Sequence, residues 1–166
     1  DASFVGDVTA LALSADGTLL AVGGTSGLAV VLRVTADVRR VPSLAHPRAD
    51  MLILRGQETP ITALAFDPSS VVCATGAQDG RVCVHLLDTG RVVSAFSVDP
   101  QHSQQHVQHS QHVQQHVQQQ QEVLSLAFTR QCDVVVVCAR SPAVWVYSPN
   151  GRLVEQVGTE GRQPLQ

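Results

Sequence analysis

The feature that most constrains the fold of this chain is an internal repeat. At an offset of 53 residues, residues 8–34 pair with residues 61–87 without a gap, which places VTALAL on ITALAF. At a second offset of 62 residues, EVLSLAF at 122–128 falls on the same template, and VWVY at 144–147 falls on VCVH at 82–85. Two offsets that each hold over a whole unit indicate three copies of one structural unit.

Each copy has the pattern of four short β-strands. The strands are rich in apolar and β-branched residues, and turns rich in Asp, Ser, Thr and Gly separate them. The expected strands are 8–14, 18–23, 28–34 and 51–55 in the first copy, 61–66, 71–76, 82–87 and 91–96 in the second, and 123–128, 133–138, 144–148 and 152–157 in the third. Outside a Gln/His-rich tract, no stretch shows sustained helical spacing of apolar residues, so the sequence predicts an all-β fold.

A four-stranded unit that recurs at this scale is typical of a blade of a β-propeller. The usual period is about 40–45 residues, and insertions at 36–50 and 97–121 account for the longer periods here. We therefore expect three four-stranded antiparallel blades of an incomplete propeller over 5–157. The expected blades are about 5–56, 57–97 and 122–158, with a tail at 158–166.

The second copy resembles the WD-repeat family. Its LRGQ at 54–57 is similar to the Leu-x-Gly-His that opens such a repeat, and its ATGAQDG at 74–80 is similar to the family's small-residue strand and Asp-Gly turn. In the family, an Asp, a His, a Ser or Thr and a Trp can form a buried hydrogen-bonded network. Asp79 and Thr75 match that pattern, whereas Gln57 replaces the His and His85 replaces the Trp. The resemblance gives structural roles to these four positions and to the glycines of the two motifs, Gly56 and Gly80.

Two shorter motifs narrow the resemblance. VCVHL at 82–86 and YSPNGRL at 147–153 are similar to the C-terminal propeller of BEACH-domain (neurobeachin-like) proteins. The structural positions of the second motif are Tyr147, Asn150 and Gly151. The resemblance implies a cytoplasmic scaffold that acts in vesicle trafficking and associates peripherally with endomembranes through the full-length protein. The alternatives are a WD-repeat adaptor of a ubiquitin-ligase or nuclear complex and, in third place, an enzymatic propeller.

Composition and motifs favour protein binding over catalysis or nucleic-acid binding. The formal charge is −3 and no basic stripe is present, so nucleic acid is not an expected partner. No phosphate loop, zinc motif, nucleophile motif or carboxylate pair occurs, and we expect neither an enzyme nor a cofactor. His85 and Asp79 are therefore interpreted as structural residues. The four cysteines lack a C-x-x-C pair, and the apolar runs at 71–74 and 135–138 contain two of them, which predicts buried thiols in a cytosolic protein. No apolar run is long enough to insert into a membrane.

The Gln/His-rich tract offers a minor alternative function. Five histidines, His102, His106, His109, His112 and His116, are spaced by four, three, three and four residues, which would align imidazoles on a helix as a transition metal requires. The tract has no carboxylate or thiolate before Glu122. A low-complexity loop is the preferred interpretation, and metal binding is kept as the alternative.

Loops at one end of the propeller are the expected surface for other proteins. Such loops vary without disturbing the core, and in this topology one end collects the turns between second and third strands and the connections between blades. The residues expected to be exposed there are Thr25, Glu58, Thr59, Gln78 and Arg140. Because three blades cannot close a ring of the usual four to eight or so, we also expect exposed blade faces and self-association or insolubility of the chain alone.

Overall fold

The computed structural model describes residues 5–34, 51–98, 121–141 and 143–158. The insertion expected at 36–50, residues 99–120 of the Gln/His-rich insertion, and residues 159–166 of the tail lie outside this part of the chain. The described residues form twelve strands and no helix, so none of their elements is a helix that could span a membrane. In chain order the strands are β1 (Val8–Leu13), β2 (Leu19–Gly24), β3 (Ala29–Arg33), β4 (Met51–Leu54), β5 (Ile61–Phe66), β6 (Val72–Ala77), β7 (Arg81–Leu86), β8 (Val92–Ser97), β9 (Val123–Phe128), β10 (Val134–Cys138), β11 (Ala143–Tyr147) and β12 (Leu153–Gly158).

The strands pair into three separate four-stranded antiparallel sheets, each a meander. The orders are β1-β2-β3-β4, β5-β6-β7-β8 and β9-β10-β11-β12, which confirms the all-β prediction. The register repeats as well. Side-by-side residues on the first three strands are Leu11, Val22 and Val30 in the first sheet, Leu64, Thr75 and Cys83 in the second, and Leu126, Val136 and Trp145 in the third. The third sheet is one residue shorter between its first two strands, so the offset to the second sheet falls from 62 at Leu126 to 61 at Val136.

The three sheets pack face against face through their first strands. Strand β1 contacts β5, and β5 contacts β9. Ile61 and Cys73 of the second sheet are buried against Ala21, Val31 and other apolar residues of the first. Trp145 of the third sheet is 1 % exposed and belongs to a second buried cluster with apolar residues of the second sheet. Most of the apolar burial therefore lies between sheets, as expected of stacked repeats.

A capped turn joins the first two strands of each sheet. Ser14, Asp67 and Thr129 hold equivalent positions at its start, and each side chain accepts hydrogen bonds from backbone N–H groups later in the turn. The same turn then needs a residue with positive φ, which is supplied by Gly17, Ser70 and Cys132 in the three sheets. A polar cap and a left-handed residue at these positions explain why the turn survives large changes of sequence.

The four thiols are free, and three of them are buried. Burial raises the pKa of Cys73 to about 12 and that of Cys138 to about 11, so both stay protonated and unreactive at neutral pH. The expectation of buried thiols is wrong for Cys132, which is half-buried. Its position in the turn, at a φ of 66°, holds it at the end of the sheet rather than in the interface.

Candidate protein-binding end

A buried hydrogen-bonded chain links three of the residues singled out in the second sheet. Nε2 of Gln57 donates to the hydroxyl of Thr75 at 3.0 Å and to the carbonyl oxygens of Thr75 and Arg81 at 2.8 and 3.3 Å. The Thr75 hydroxyl lies 3.1 Å from Nε2 of His85. All three side chains are buried. Gln57 and His85 thus take part in a network at the positions where the family resemblance has His and Trp.

His85 is held in its neutral form. Its side chain is 1 % exposed, and burial lowers its pKa to about 4 against a weaker opposing effect of the Gly90 backbone. Because Thr75 already accepts a hydrogen bond from Gln57, its hydroxyl proton is free to be donated to Nε2 of His85. A neutral imidazole that is hydrogen-bonded to a threonine in the core has a structural role.

Asp79 stabilises a turn and makes no hydrogen bond to Gln57, Thr75 or His85 among the contacts of the described residues. Its Oδ1 accepts the backbone N–H of Arg81 at 3.0 Å, which closes the turn between β6 and β7. The next residue, Gly80, has a φ of 82°, and a Cβ there would lie 2.7 Å from the carbonyl oxygen of Gln121. The Asp-Gly pair therefore forms a tight turn that lies against the segment before β9.

Gly56 is equally constrained by what surrounds it. Its φ is 132°, and a Cβ would lie 3.0 Å from Val92 and 3.6 Å from the sulfur of Cys83. The Cys83 thiol contacts the carbonyl oxygen of Gly56. Glycine is favoured at this position because its φ is positive and a side chain would crowd Val92.

The turn containing the second BEACH-like motif connects β11 to β12 and packs against the second sheet. The ring of Tyr147 stacks on Phe96 of β8, with centroids 4.5 Å apart. Gly151 has a φ of 82°, and a Cβ would meet Phe96 at 2.9 Å. The carboxamide oxygen of Asn150 accepts the Ser148 hydroxyl and, at 3.4 Å, the backbone N–H of Arg152. These positions have packing and turn-forming roles.

Three of the residues expected on the partner surface converge on one cavity. Thr59, Gln78 and Arg140 line a cavity of about 380 Å³ between the second and third sheets. They come from the chain before β5, the β6–β7 turn and the β10–β11 turn, so two sheets build one recess. Its other lining residues are Asp79, Gln121, Glu122 and Ala139.

The cavity is polar and carries charges of both signs. Arg140 contributes a guanidinium group, and Asp79 and Glu122 contribute carboxylates. Within the part of the chain that is described, Thr59 Oγ1 and Gln121 Oε1 are buried without a hydrogen-bond partner. Arg140 has a φ of 60°, a conformation that costs energy for a residue with a side chain. Such a recess can hold polar and charged groups of another protein.

The remaining two expected surface residues lie on the same end but outside the cavity. Thr25 is exposed in the β2–β3 turn, the equivalent of Gln78 in the first sheet, and its hydroxyl accepts the backbone N–H of Asp7 at 3.0 Å. Glu58 is exposed beside Thr59. Thr59 itself is only half-exposed, and its hydroxyl is buried, which differs from the exposure expected of it.

Sequence reasoning missed Gln121, Glu122 and Ala139 as lining residues. The backbone N–H of Ala139 donates to the carbonyl oxygen of Glu122 at 2.8 Å, which ties the β10–β11 turn to the segment before β9. A signal existed in the repeat, since the 62-residue offset places Gln121 on Thr59, which had already been singled out. The Gln-rich composition of the tract concealed it.

A larger cavity of about 570 Å³ lies at the opposite end, between the first and second sheets. Aliphatic side chains such as Leu19, Val31 and Leu87 form much of its lining, with Arg33 and Asp88 among the polar residues. It contains none of the residues expected from the sequence to bind a partner. Among the described residues, no group of three or more His, Cys, Asp or Glu side chains is arranged to hold a metal ion, and the histidines of the Gln/His-rich tract lie outside that part of the chain.

Two comparisons with known proteins agree with the repeat and with the fold. Residues 50–85 match the family model described as WD40: WD domain, G-beta repeat. The match covers β4 to β7, so the family's repeat begins on the outer strand of one sheet and continues through three strands of the next. No curated protein matches the chain significantly in sequence.

A solved structure, that of the Myceliophteria thermophila Cps50 (Swd1) beta-propeller domain, is similar in fold. Its TM-score is 0.61 at 12 % identity, over 92 % of this chain and 39 % of that one. The chain has the fold of part of a β-propeller. It spans about two fifths of the length of that propeller domain. WD40 propellers are in general protein-interaction scaffolds, and this is the general role that the repeat match suggests.

Proposed function

We propose that this chain is a non-catalytic scaffold that binds another protein through the end at which Thr59, Gln78 and Arg140 meet. The observation that carries the proposal is the polar recess of about 380 Å³ to which these residues contribute from two adjacent sheets. Turn residues at the end of a rigid β-scaffold are well suited to recognition because they can change without altering the interfaces between sheets.

The chemistry of the recess favours a polar segment of a protein as its occupant. A guanidinium group and two carboxylates offer hydrogen bonds to charged side chains of either sign. The described residues also leave two buried polar groups unpaired. The Thr59 hydroxyl can donate or accept a hydrogen bond, and the Gln121 amide oxygen can accept one. Buried polar atoms without partners cost energy, and a partner that pairs with them would recover it.

A matched pair of charge reversals tests the proposal. Arg140→Glu changes the recess, whereas Arg130→Glu makes the same change on an exposed arginine in the β9–β10 turn at the other end of the third sheet. Proteins that copurify with the tagged chain would be quantified by mass spectrometry for the unsubstituted chain and for both variants. We expect Arg140→Glu to lose specific proteins that Arg130→Glu retains, and equal retention by both variants would contradict this assignment of the surface.

The cellular context that we propose is a BEACH-type protein in vesicle trafficking, cytoplasmic and peripheral on endomembranes. The support is the similarity of VCVHL at 82–86 and YSPNGRL at 147–153 to the propeller of that group. A BEACH domain encoded in the same reading frame next to this segment would support the assignment. Modules of a ubiquitin-ligase or nuclear adaptor in its place would favour that alternative, with the same protein-binding role for the propeller fold.

A further inference from the structure

Two turns hold the segment before β9 in place on the wall of the recess. The backbone N–H of Ala139, in the β10–β11 turn, donates to the carbonyl oxygen of Glu122 at 2.8 Å. On the other side, Gly80 of the β6–β7 turn approaches Gln121 so closely that a Cβ on it would lie 2.7 Å from the Gln121 carbonyl oxygen. The backbone of the recess is therefore preformed, which lowers the entropic cost of binding a ligand.

The two carboxylates that line the recess have different surroundings. Oδ1 of Asp79 accepts the backbone N–H of Arg81 at 3.0 Å, and the guanidinium group of Arg81 interacts electrostatically with the same carboxylate. By contrast, no side-chain hydrogen bond or ion pair joins the carboxylate of Glu122 to another described residue. Glu122 is therefore the acidic group of the recess that is available to a cation of the partner.

Two further oxygen atoms add to the acceptor character of the interior. Oγ1 of Thr59 and Oε1 of Gln121 are buried, and neither has a hydrogen-bond partner in the part of the chain that is described. Because no hydrogen bond fixes these two groups, each can turn toward a donor that enters the recess. Arg140 also lines the cavity, but its side chain is exposed. The recess is thus negative inside and positive at its rim.

We propose that the partner inserts an arginine side chain into the recess, with an acidic residue beside it that pairs with Arg140; this step rests on the proposed function. A guanidinium group has five N–H donors in a fixed planar arrangement, which suits carboxylate, amide and hydroxyl oxygens supplied by separate segments of the chain. The ammonium group of lysine presents its three donors from a single nitrogen atom and suits these acceptors less well.

Short capped peptides test the recognised group directly. The probes are acetyl-Gly-Asp-Arg-Gly-amide and the same peptide with lysine, citrulline or glutamate in place of arginine. Citrulline keeps the shape of arginine but carries no charge. Binding to the isotope-labelled chain is followed by NMR at the backbone amides of Gln78, Glu122 and Ala139, which line the recess.

We expect the arginine peptide to bind about tenfold more tightly than the citrulline peptide, since hydrogen bonds between charged groups are stronger than those of a neutral donor. The lysine peptide should bind more weakly than the arginine peptide, and the glutamate peptide should not bind. Equal affinity of the arginine and citrulline peptides, or no arginine-dependent shift at these amides, would overturn the proposal.

A matched pair of substitutions tests the role of Glu122. Glu122→Gln removes the charge and keeps the size of the side chain, whereas Glu155→Gln makes the same change on an exposed glutamate of β12. After circular dichroism has established that both variants are folded, we expect Glu122→Gln to weaken binding of the arginine peptide about tenfold and Glu155→Gln to leave it unchanged. An unchanged affinity in Glu122→Gln would also overturn the proposal.

Copurification distinguishes failure of this proposal from failure of the proposed function. Proteins that Arg140→Glu loses and Arg130→Glu retains would be quantified for Glu122→Gln and Glu155→Gln as well. Their loss from Glu122→Gln alone supports recognition of a basic group in the recess. If Glu122→Gln retains them, the surface is correct and the arginine proposal is wrong. If Arg140→Glu loses no protein, the proposed function is contradicted, and the peptide titration by itself decides whether the recess binds arginine.

Discussion

Oγ1 of Thr75 and Nε2 of His85 lie 3.1 Å apart on neighbouring strands of the second sheet, and each side chain is 1 % exposed. The register explains why they meet, because Cys73 and Thr75 of β6 oppose His85 and Cys83 of β7 and all four side chains share one face. That face packs on the first sheet. Neutral His85 is therefore part of the interface between the first two sheets, and its protonation bears on the stability of that interface.

We expect the stability of the chain to fall as the pH decreases from about 6.5 to about 4. The pKa of His85 is lowered by burial from 6.5 to about 4 in the folded chain, so in this range the unfolded state binds a proton that the folded state does not. Above about 6.5 both states are neutral and the effect vanishes. The full loss is about 3 kcal/mol by the conversion of pKa shift to free energy.

His85→Phe isolates this effect, since it keeps a ring in the interface and removes the titratable nitrogen. Urea unfolding at pH 4, 5, 6 and 7 would give the free energy of unfolding of both proteins. The difference between them should change in favour of the variant as the pH falls. Parallel pH dependence of the two proteins would be inconsistent with a buried neutral His85.

Gln57 and Thr75 should behave as a coupled pair. Removing the Gln57 amide leaves the Thr75 hydroxyl and carbonyl without the hydrogen bonds at 3.0 and 2.8 Å, and a buried unpaired polar group costs about 1–3 kcal/mol. We expect Gln57→Leu and Thr75→Val each to be destabilising and the double variant to be less destabilised than their sum, by about 0.5–3 kcal/mol. Additive losses in thermal or urea unfolding would show that the two residues are independent.

Asp67 should contribute more to stability than the equivalent Ser14. Burial acts to raise the pKa of Asp67, but hydrogen bonds from Ser69, Val72 and Val71 outweigh it and leave the pKa below its usual value of 3.8. We expect Asp67→Ala to cost about 2–4 kcal/mol, because hydrogen bonds to a charged group are stronger than neutral ones. Asp67→Ser, which copies the first sheet, should cost less.

The pH dependence of the Asp67 contribution has a definite sign. A carboxyl group with a lowered folded pKa stabilises the chain above its unfolded pKa, here the usual value of 3.8, and this contribution is lost as the pH falls through the folded value. The difference in unfolding free energy between the unsubstituted chain and Asp67→Ala should therefore shrink in strong acid. A difference that stays constant from pH 7 to pH 2 would rule out an ionised Asp67 as its source.

The repeat was sufficient to predict the fold because the positions that define a sheet are local. Strand runs, the Asp79-Gly80 turn and the polar turn caps depend on neighbours within a few residues. The recess was only partly predictable, since Glu122 and Gln121 join Gln78 by packing between sheets, and that contact has no signature in either segment alone. The replacement of a family aromatic by His85 could be read from the sequence, whereas its neutral state depends on burial in the interface.

Two glycines separate the effect of close approach from the intrinsic cost of adding a methyl group. A Cβ at Gly76 would lie 2.5 Å from Val123, whereas a Cβ at Gly158, at the end of β12, has no atom within 4 Å, and neither residue has a positive φ. We expect Gly76→Ala to destabilise the chain by about 1–3 kcal/mol through overpacking and Gly158→Ala to change the stability by less than about 0.5 kcal/mol. Both free energies would be measured by urea unfolding, with the fluorescence of Trp145 as a probe, since Trp145 belongs to the same buried cluster as Val123. Equal effects of the two substitutions would mean that the sheets move apart at no cost, and the close approach at Gly76 would then not be what holds the second and third sheets together.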